Sequence, residues 1–255
     1  MNTSATLTAV LVSFCACHVS ADTLAENQAR FGQVDGTVQL LSQGSLQWVD
    51  AHIDLPLESG DEIRVDEDGH AEISIAKNVL LFLDSGSDVI VGHVTTQEGH
   101  LTLTQGVLLG KIETAGVRGS WEFETPLGVC GVRGTEFAIV YSETEGMHLG
   151  VLKGQVDLSP AETAEGRQPA VVIAAHQEGV LQKKKPLKTL KTFSPVVQAH
   201  VPHVAMLQKR FHEVSHVWVP LTPDYRQVLR RKFVAPIPSN KTRPHRVAPR
   251  RTRHS

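Results

Sequence analysis

Carboxylate side chains are the first residues to consider, because a pair of them can act as general acid and general base. The densest group stands around glycine-containing turns and comprises Asp61, Glu62, Asp66, Glu67 and Asp68. Such a cluster is typical of a solvated acidic surface. The sequence contains no Gly-x-Ser-x-Gly elbow, no phosphate-binding loop and no His-Glu-x-x-His segment. We therefore predict that the protein is not an enzyme, and an envelope enzyme acting on carbohydrate is the least favoured alternative.

Two histidine pairs are the next candidates, because neutral imidazoles bind zinc and copper. His200 and His203 are three positions apart. His212 and His216 are four positions apart, so each pair can share a helical face. Pro202 interrupts the first pair, and no nearby carboxylate or thiolate completes a recognisable signature. We therefore predict no metal site and no cofactor, and we interpret the histidines as surface residues of an interaction segment.

The chain begins with a segment typical of a secretory signal. Residues 1–21 contain an apolar run, carry no charged side chain and end in Val-Ser-Ala. The run is too short to span a membrane but suits a signal sequence. We predict a signal peptide over residues 1–21 with cleavage after Ala21, although positive residues before the run are missing. Lipid attachment at Cys15 or Cys17 is disfavoured, because Phe14 occupies a position that needs a small residue.

Removal of the signal would leave Cys130 as the only cysteine. No intramolecular disulfide or cysteine-based metal cluster is then possible. We interpret Cys130 as a small buried hydrophobic residue. No other stretch reaches the roughly 18 apolar residues that a spanning helix needs. We therefore predict a periplasmic or secreted protein with no transmembrane segment in the mature chain.

Charge is distributed unevenly along the chain. The formal net charge is only −2, but residues 1–182 carry 8 Lys or Arg against 25 Asp or Glu, whereas residues 183–255 carry 17 against 2. All 20 glycines precede residue 183, and 9 of the 13 prolines follow it. These signals agree on a domain boundary. We predict an acidic domain over residues 30–182 and a basic, Pro-rich, glycine-free tail over residues 183–255.

The acidic domain has the pattern of an all-β fold. Glycine-containing turns recur along it, among them Gln105-Gly106, and short alternating segments such as 121–124 lie between them. The runs VLLFLD (79–84) and TEFAIVY (135–141) lack alternation, which predicts strands buried on both faces. We predict a compact sandwich or a solenoid-like roll of short strands.

The basic tail is expected to be partly disordered, with two short helices. Its closing segment KTRPHRVAPRRTRHS (241–255) is expected to stay disordered. Apolar residues at helical spacing predict one helix over about 203–217. A second is predicted from Thr222, as the cap, and Pro223, in the first turn, to about Phe233. Helices this short are unstable alone in water, so we expect them to fold on a surface.

The string TPLGVCGVRGTEFAIVY (125–141) resembles the core of the FecR domain, whose members carry Thr-Pro followed by a Val-Arg-Gly-Thr-Glu-Phe strand. Further segments resemble the other motifs of that family in the same order, and they are residues 55–75, 80–91, 101–113 and 148–158. The resemblance covers about residues 32–182, and it is specific because several motifs are in register. It implies a periplasmic β domain of the FecR type.

The founding members of the FecR family are membrane-anchored regulators. They carry a cytoplasmic anti-sigma segment and a transmembrane helix before the β domain, where this chain has only the predicted signal. The resemblance therefore implies the β domain without that signalling machinery. Iron-uptake regulation is not carried over.

Arg133 and Glu136 are the candidate binding residues of the β domain. They are close enough in sequence to pair, or to meet other charges across the sheet. The simpler interpretation is structural, with Gly134 permitting a bulge and Phe137 filling the core. A role in which both charged residues face a ligand is the alternative.

Basic residues of the tail form the second set of candidate binding residues, because a strong positive potential attracts polyanions. They are Lys183, Lys184, Lys185, Arg230, Arg231, Lys232, Arg250 and Arg251. The partners available to an exported protein are an envelope protein or glycan, anionic lipid and lipopolysaccharide; nucleic acid is not expected. Self-association, or docking of the tail on its own acidic domain, is the alternative.

These observations predict a non-enzymatic binding module of the bacterial cell envelope. Its β domain would recognise a glycan or protein, and its basic tail would contact an anionic surface. One alternative is a structural or assembly component whose tail docks on the acidic domain of a neighbouring copy. Another is a signal-sensing component related to FecR-type regulators.

Overall fold

The computed structural model describes residues 28–113, 120–162, 166 and 168–234. The predicted signal segment 1–21 and the closing segment 241–255, with Arg250 and Arg251, lie outside the described residues. Within the described ranges, no helix is both long enough and apolar enough to cross a membrane.

Most of the described chain is β-strand. In chain order the strands are β1 (Ala29–Asp35), β2 (Val38–Leu41), β3 (Trp48–Asp50), β4 (Glu62–Val65), β5 (His70–Ile75), β6 (Val79–Leu83), β7 (Ser87–Val94), β8 (Glu98–Ile112), β9 (Ser120–Thr125), β10 (Gly128–Val132), β11 (Glu136–Ser142), β12 (Gly146–Lys153), β13 (Gln155–Pro160), β14 (Val171–Ala174), β15 (Gln177–Leu181) and β16 (Lys188–Leu190). The helices follow and are α1 (Pro195–Gln198), α2 (Val201–Val217) and α3 (Pro223–Phe233).

The strands form two layers that share the long strand β8. The amino-terminal half of β8 pairs with β7 and β9, and its other half pairs with β6 and β11. The first layer has the order β3-β2-β4-β7-β8-β9-β10-β13-β14, and the second has the order β1-β5-β6-β8-β11-β12-β15-β16. Among the named strands only β8 and β9 run parallel. The sheet that the described strands form is not closed. The fold class is all-β, as predicted.

The sequence pattern was wrong at Gln105-Gly106, where it predicts a turn. Both residues lie inside β8, at the place where the strand passes from one layer to the other. Gly106 has φ +94°, and a Cβ at this position would lie 2.5 Å from the Cα of Ser87. Glycine is therefore required here for a bend within a continuous strand rather than for a hairpin.

The core lies between the two layers. Trp121 and Phe123 of β9 enter it from the first layer, and Phe137 of β11 enters it from the second. The rings of Phe123 and Phe137 are 5.0 Å apart. Full burial of an apolar side chain contributes about 1.5–3 kcal/mol, so a core of this extent stabilises the domain without a disulfide. Cys130 is buried in this core, and burial raises the pKa of its thiol.

Strands β6 and β11 are buried on both faces, as predicted. One face of β6 enters the core between the layers. The opposite face of the second layer packs Leu80 of β6 and Ala138 of β11 against Val204, Leu207 and Phe211 of α2. The lack of alternation in both strands thus reflects a helix of the basic tail that covers the sheet.

The described part of the tail folds on the β domain. Strand β16 pairs with β15, so the second layer continues past residue 183. Helix α2 lies over β6, β8 and β11. At the start of α3, the hydroxyl oxygen of Thr222 accepts a hydrogen bond of 3.3 Å from the backbone N–H of Tyr225. Both predicted helices are therefore confirmed, and the surface that they need is the chain's own sheet.

Candidate functional site

The candidate functional site is a groove on the solvent-facing side of β9, β10 and β13. Its volume is ≈ 510 Å³. Its walls and floor consist of Ser120, Glu122, Glu124, Thr125, Gly128, Val129, Gly131, Arg133, Asp157, Ser159, Pro160, Ala161 and Glu162. We call this set of residues the acidic groove.

The alternation of side chains along the strands places the charged side chains of the acidic groove on the solvent-facing side of the sheet. In β9, Trp121 and Phe123 are buried, which turns Glu122 and Glu124 outwards. Gly131 of β10 is paired with Glu122 on one side and with Asp157 of β13 on the other. Because Gly131 has no side chain, the floor between these two carboxylates stays open.

The acidic groove has a strongly negative potential. Four carboxylates, those of Glu122, Glu124, Asp157 and Glu162, line it together with one cation, Arg133. The Nε2 atom of His100 lies 2.9 Å from a carboxylate oxygen of Glu124 at the margin. Carboxylates concentrated on one surface attract cationic groups and raise the rate of association with a basic partner.

Arg133 and Glu136 lie in different places and do not pair with each other. Arg133 is exposed in the acidic groove. Glu136 lies in β11 of the other layer, where the Nζ of Lys111 donates a hydrogen bond of 2.8 Å to its carboxylate. Both partners of this ion pair are buried, and the ring of Phe211 lies 5.1 Å from the same ammonium. Lys111 is the charge that Glu136 meets across the sheet, as one of the predictions from the sequence has it. Glu136 therefore has a structural partner.

Residues 61–157 match the family model described as FecR protein. The matched region runs from the residue before β4 into β13 and includes most of the acidic groove. These residues form a FecR-like domain. The resemblance predicted from the Thr125–Tyr141 segment is therefore confirmed.

Comparisons with solved structures give more distant similarity. Two crystal structures of a candidate anti-sigma factor from Parabacteroides distasonis ATCC 8503 are similar to this chain, with TM-scores of 0.46 and 0.44 and sequence identities of 16% and 17%. The similarity covers 55% and 54% of this chain and 63% of the other protein in both cases. This chain therefore spans less than two thirds of that protein's length. No curated protein sequence matches it significantly.

The basic tail contacts the FecR-like domain through a buried charge pair. In α3, Arg230 donates through Nη1 to Oδ2 of Asp61 at 2.6 Å and through Nη2 to Oδ1 at 3.0 Å. The same guanidinium donates to the hydroxyl of Ser42 at 2.6 Å and to the carbonyl of Pro56 at 3.1 Å. Asp61 has a fully buried side chain. Two parallel bonds between a guanidinium and a carboxylate make this a strong and directional contact.

A second charge pair joins α2 to the FecR-like domain. Arg210 donates through Nε to a carboxylate oxygen of Glu72 at 3.0 Å. It also donates through Nη1 to Glu213, one turn along α2, at 3.2 Å. These carboxylates raise the pKa of Arg210, the hydrogen bond to Glu72 being the main cause. The docked tail thus supplies a cation to Glu72, a buried carboxylate of the β domain.

A third contact joins the start of α1 to β15. Glu178 is fully buried and accepts hydrogen bonds from the backbone N–H of Ser194 and from its hydroxyl, the latter at 2.8 Å. The Nδ1 atom of His148 lies 2.7 Å from Oε1 of Glu178. Burial alone would raise the pKa of Glu178, but the hydrogen bonds from His148 and Ser194 lower it below its ordinary value. Ser194 and His148 both bond to the carboxylate rather than to each other, so this arrangement is an anchor and not a catalytic triad.

The remaining basic residues predicted as binding residues are exposed where the structure describes them. Lys183, Lys184 and Lys185 stand in the turn after β15, and Lys183 donates to Glu143 at 2.8 Å. Arg231 and Lys232 are exposed at the end of α3. Of the predicted tail cations that the structure describes, only Arg230 points into the domain.

Most residues of the acidic groove and of the tail contacts were not predicted from the sequence. The alternation of Glu122 and Glu124 with two aromatic residues was visible, but nothing in it indicates that Asp157 lies across the same groove.

Among the described residues, one group could hold a metal ion, and it consists of Asp84, His200 and His203. Asp84 supplies the carboxylate that the sequence lacks near the two histidines.

Proposed function

We propose that the protein is a signal-sensing component related to FecR-type regulators, and that its β domain binds a protein partner through the acidic groove. The observation that carries this proposal is the FecR match, which extends over β9 and β10 and into β13 and so includes most of the groove. A regulator-related role is the alternative interpretation of the sequence, and the match favours it over a binding module with no regulatory role.

The chemistry of the acidic groove favours a basic peptide segment as the occupant. Pockets for small ligands are mostly apolar with few polar groups. Here the lining is dominated by carboxylates, hydroxyl groups and backbone. Such a surface suits an extended chain whose Lys or Arg side chains meet Glu122, Glu124 and Asp157, with specificity supplied by the charge pattern.

An envelope location fits this proposal. The predicted signal segment would export the chain, and a periplasmic or secreted domain can meet segments of membrane proteins there. The exposed Lys183, Lys184, Lys185, Arg231 and Lys232 offer a second, weaker function, which is contact with an anionic surface. Arg230 is not available for that contact, since it is bonded to Asp61.

The regulatory role is tested by gene-expression profiling in the bacterium that produces the protein. A deletion strain is complemented with the wild-type chain, with E122Q/E124Q/D157N, or with D50N/E62Q/E67Q, which removes three exposed carboxylates outside the groove. We expect deletion to change a defined set of transcripts, which the wild type and the control variant restore and the groove variant does not. An unchanged transcript profile on deletion would refute the regulatory role. Restoration by the groove variant would refute the role of the groove.

A further inference from the structure

Three metal-ligating side chains from distant parts of the chain meet beside the outer face of the second layer. Asp84 directly follows β6, His200 is the N-cap residue of α2, and His203 lies in the first turn of α2. One ligand atom from each residue lies within 4.8 Å of the others. The group is separate from the acidic groove and shares no residue with it.

The fold overrides the sequence argument against this histidine pair. Pro202 occupies the first turn of α2, where a missing backbone N–H costs nothing, so the helix forms and both imidazoles turn towards the sheet. The Nδ1 atoms of His200 and His203 lie 3.4 Å and 3.9 Å from the same oxygen, Oδ2 of Asp84. Both Nδ1 atoms are buried and have no hydrogen-bond partner. Buried polar atoms without a partner are unusual and point to a missing ligand.

These distances suit a shared ion better than direct hydrogen bonds. Hydrogen bonds from a ring nitrogen to a carboxylate are about 2.7–3.2 Å long. Ligand bonds of about 2.0–2.1 Å at tetrahedral angles place neighbouring ligand atoms about 3.3 Å apart. The 3.4 Å separation between His200 and Asp84 is close to that value, and the His203 side chain, 43% exposed, has room to adjust.

The carboxylate of Asp84 is already oriented for metal binding. Its Oδ1 accepts a hydrogen bond of 2.9 Å from the backbone N–H of Ser85. That bond fixes the carboxylate plane and leaves Oδ2 facing the two histidines. The ring of His203 lies against the ring of Phe82, with centroids 6.3 Å apart. Hydrogen bonds of the kind that Asp84 accepts from Ser85 orient carboxylate ligands in known metal sites.

We propose that Asp84, His200 and His203 form a binding site for a divalent transition-metal ion, with zinc as the ion that the ligands suit best. Two neutral imidazoles and one carboxylate are a zinc ligand set, whereas Mg²⁺ and Ca²⁺ prefer oxygen ligands alone. Three protein ligands leave at least one coordination position for water or another group. The ion joins the turn after β6 to the first turn of α2, so it fastens the tail to the FecR-like domain.

The site is tested by calorimetric titration of the full-length, chelator-treated chain with ZnCl₂, with MgCl₂ as a comparison and Co²⁺ absorption as a probe of ligand geometry. The variants are D84N and H203Q, and the matched control is H212Q/H216Q, which removes the exposed histidine pair of the same helix. We expect one zinc ion per chain, at least ten-fold weaker binding in D84N and H203Q, an unchanged control, and no Mg²⁺ binding.

The thermal midpoint of unfolding provides the second measurement. An ion that binds only the folded chain stabilises it by mass action, so zinc should raise the midpoint of the wild type and of the control but not that of H203Q. If D84N does not fold, the comparison of H203Q with the wild type still tests the metal site, because the His203 side chain is partly exposed. Wild-type zinc affinity in H203Q, loss of binding in the control, or no zinc binding by the wild type would overturn the proposal. None of these outcomes depends on the proposed regulatory role.

Discussion

Arg230 and Asp61 lie 169 positions apart, yet the guanidinium of Arg230 forms two hydrogen bonds with the carboxylate of Asp61, at 2.6 and 3.0 Å. Asp61 is buried at the beginning of the FecR-matched region, and Arg230 comes from the last described helix of the basic tail. The tail therefore supplies the counter-charge for a buried residue of the domain. Part of the positive charge of the tail is therefore compensated by negative charge of the domain in the same chain.

The first prediction concerns this pair. Replacing Arg230 with Gln leaves the buried Asp61 carboxylate without its cation, which typically costs about 3–5 kcal/mol. We expect a loss of that size in the free energy of unfolding measured with urea. The control is R231Q on the same helix, where the side chain is exposed and the change should stay within about 0.5 kcal/mol. Equal stability of the two variants would show that α3 does not dock in solution.

The second prediction concerns pH and Glu178. The folded pKa of Glu178 is depressed, so the stability that its carboxylate contributes is present above the unfolded pKa, which is about 4.3, and is lost as the pH falls through the folded pKa. E178Q removes this contribution. We therefore expect the wild type to be more stable than E178Q at pH 7, with a difference that shrinks as the pH falls below about 4.3. Urea unfolding at a series of pH values measures it, and a constant difference down to pH 3 would argue against the anchor.

The third prediction concerns the bend in β8. At Gly106 an added Cβ would meet the backbone of Ser87, and the positive φ disfavours any L side chain. G106A should therefore lower the free energy of unfolding by more than about 1 kcal/mol. G131A is the matched control, because a Cβ at Gly131 would approach Asp157 no closer than 3.6 Å. If G106A were as stable as G131A, the strand would not bend as described.

The fourth prediction concerns the exposed lysines after β15. We expect the full-length chain to bind vesicles that contain phosphatidylglycerol, and salt to weaken this binding. Each lysine near an anionic surface contributes about 1 kcal/mol, so K184Q/K185Q should bind roughly ten-fold or more weakly. K77Q/K153Q removes two exposed lysines of the domain and should bind as the wild type does. Co-sedimentation measures the affinities. Equal binding by both variants would show that the lysines after β15 do not contribute to binding of the anionic vesicles.

Local patterns were sufficient for the fold class and for individual elements. The unbroken apolar runs of β6 and β11 correctly indicated burial on both faces, and Thr222 correctly indicated the start of α3. Gly106 misled the interpretation, because a bend inside a strand and a turn between strands both need glycine. The partners of Asp61, Glu136 and His200 were not predictable, since each depends on how distant segments pack together rather than on local spacing.

The central claim is that the FecR-like domain binds a protein partner through the acidic groove, and site-specific photo-cross-linking in the producing bacterium tests it most directly. A photoreactive residue replaces Val129 inside the groove, or Ile90 of β7 outside it as the control. We predict a discrete protein adduct from position 129 that is absent from position 90 and disappears when E122Q/E124Q/D157N is added. The same adduct from both positions, or an adduct that survives the three substitutions, would contradict the claim.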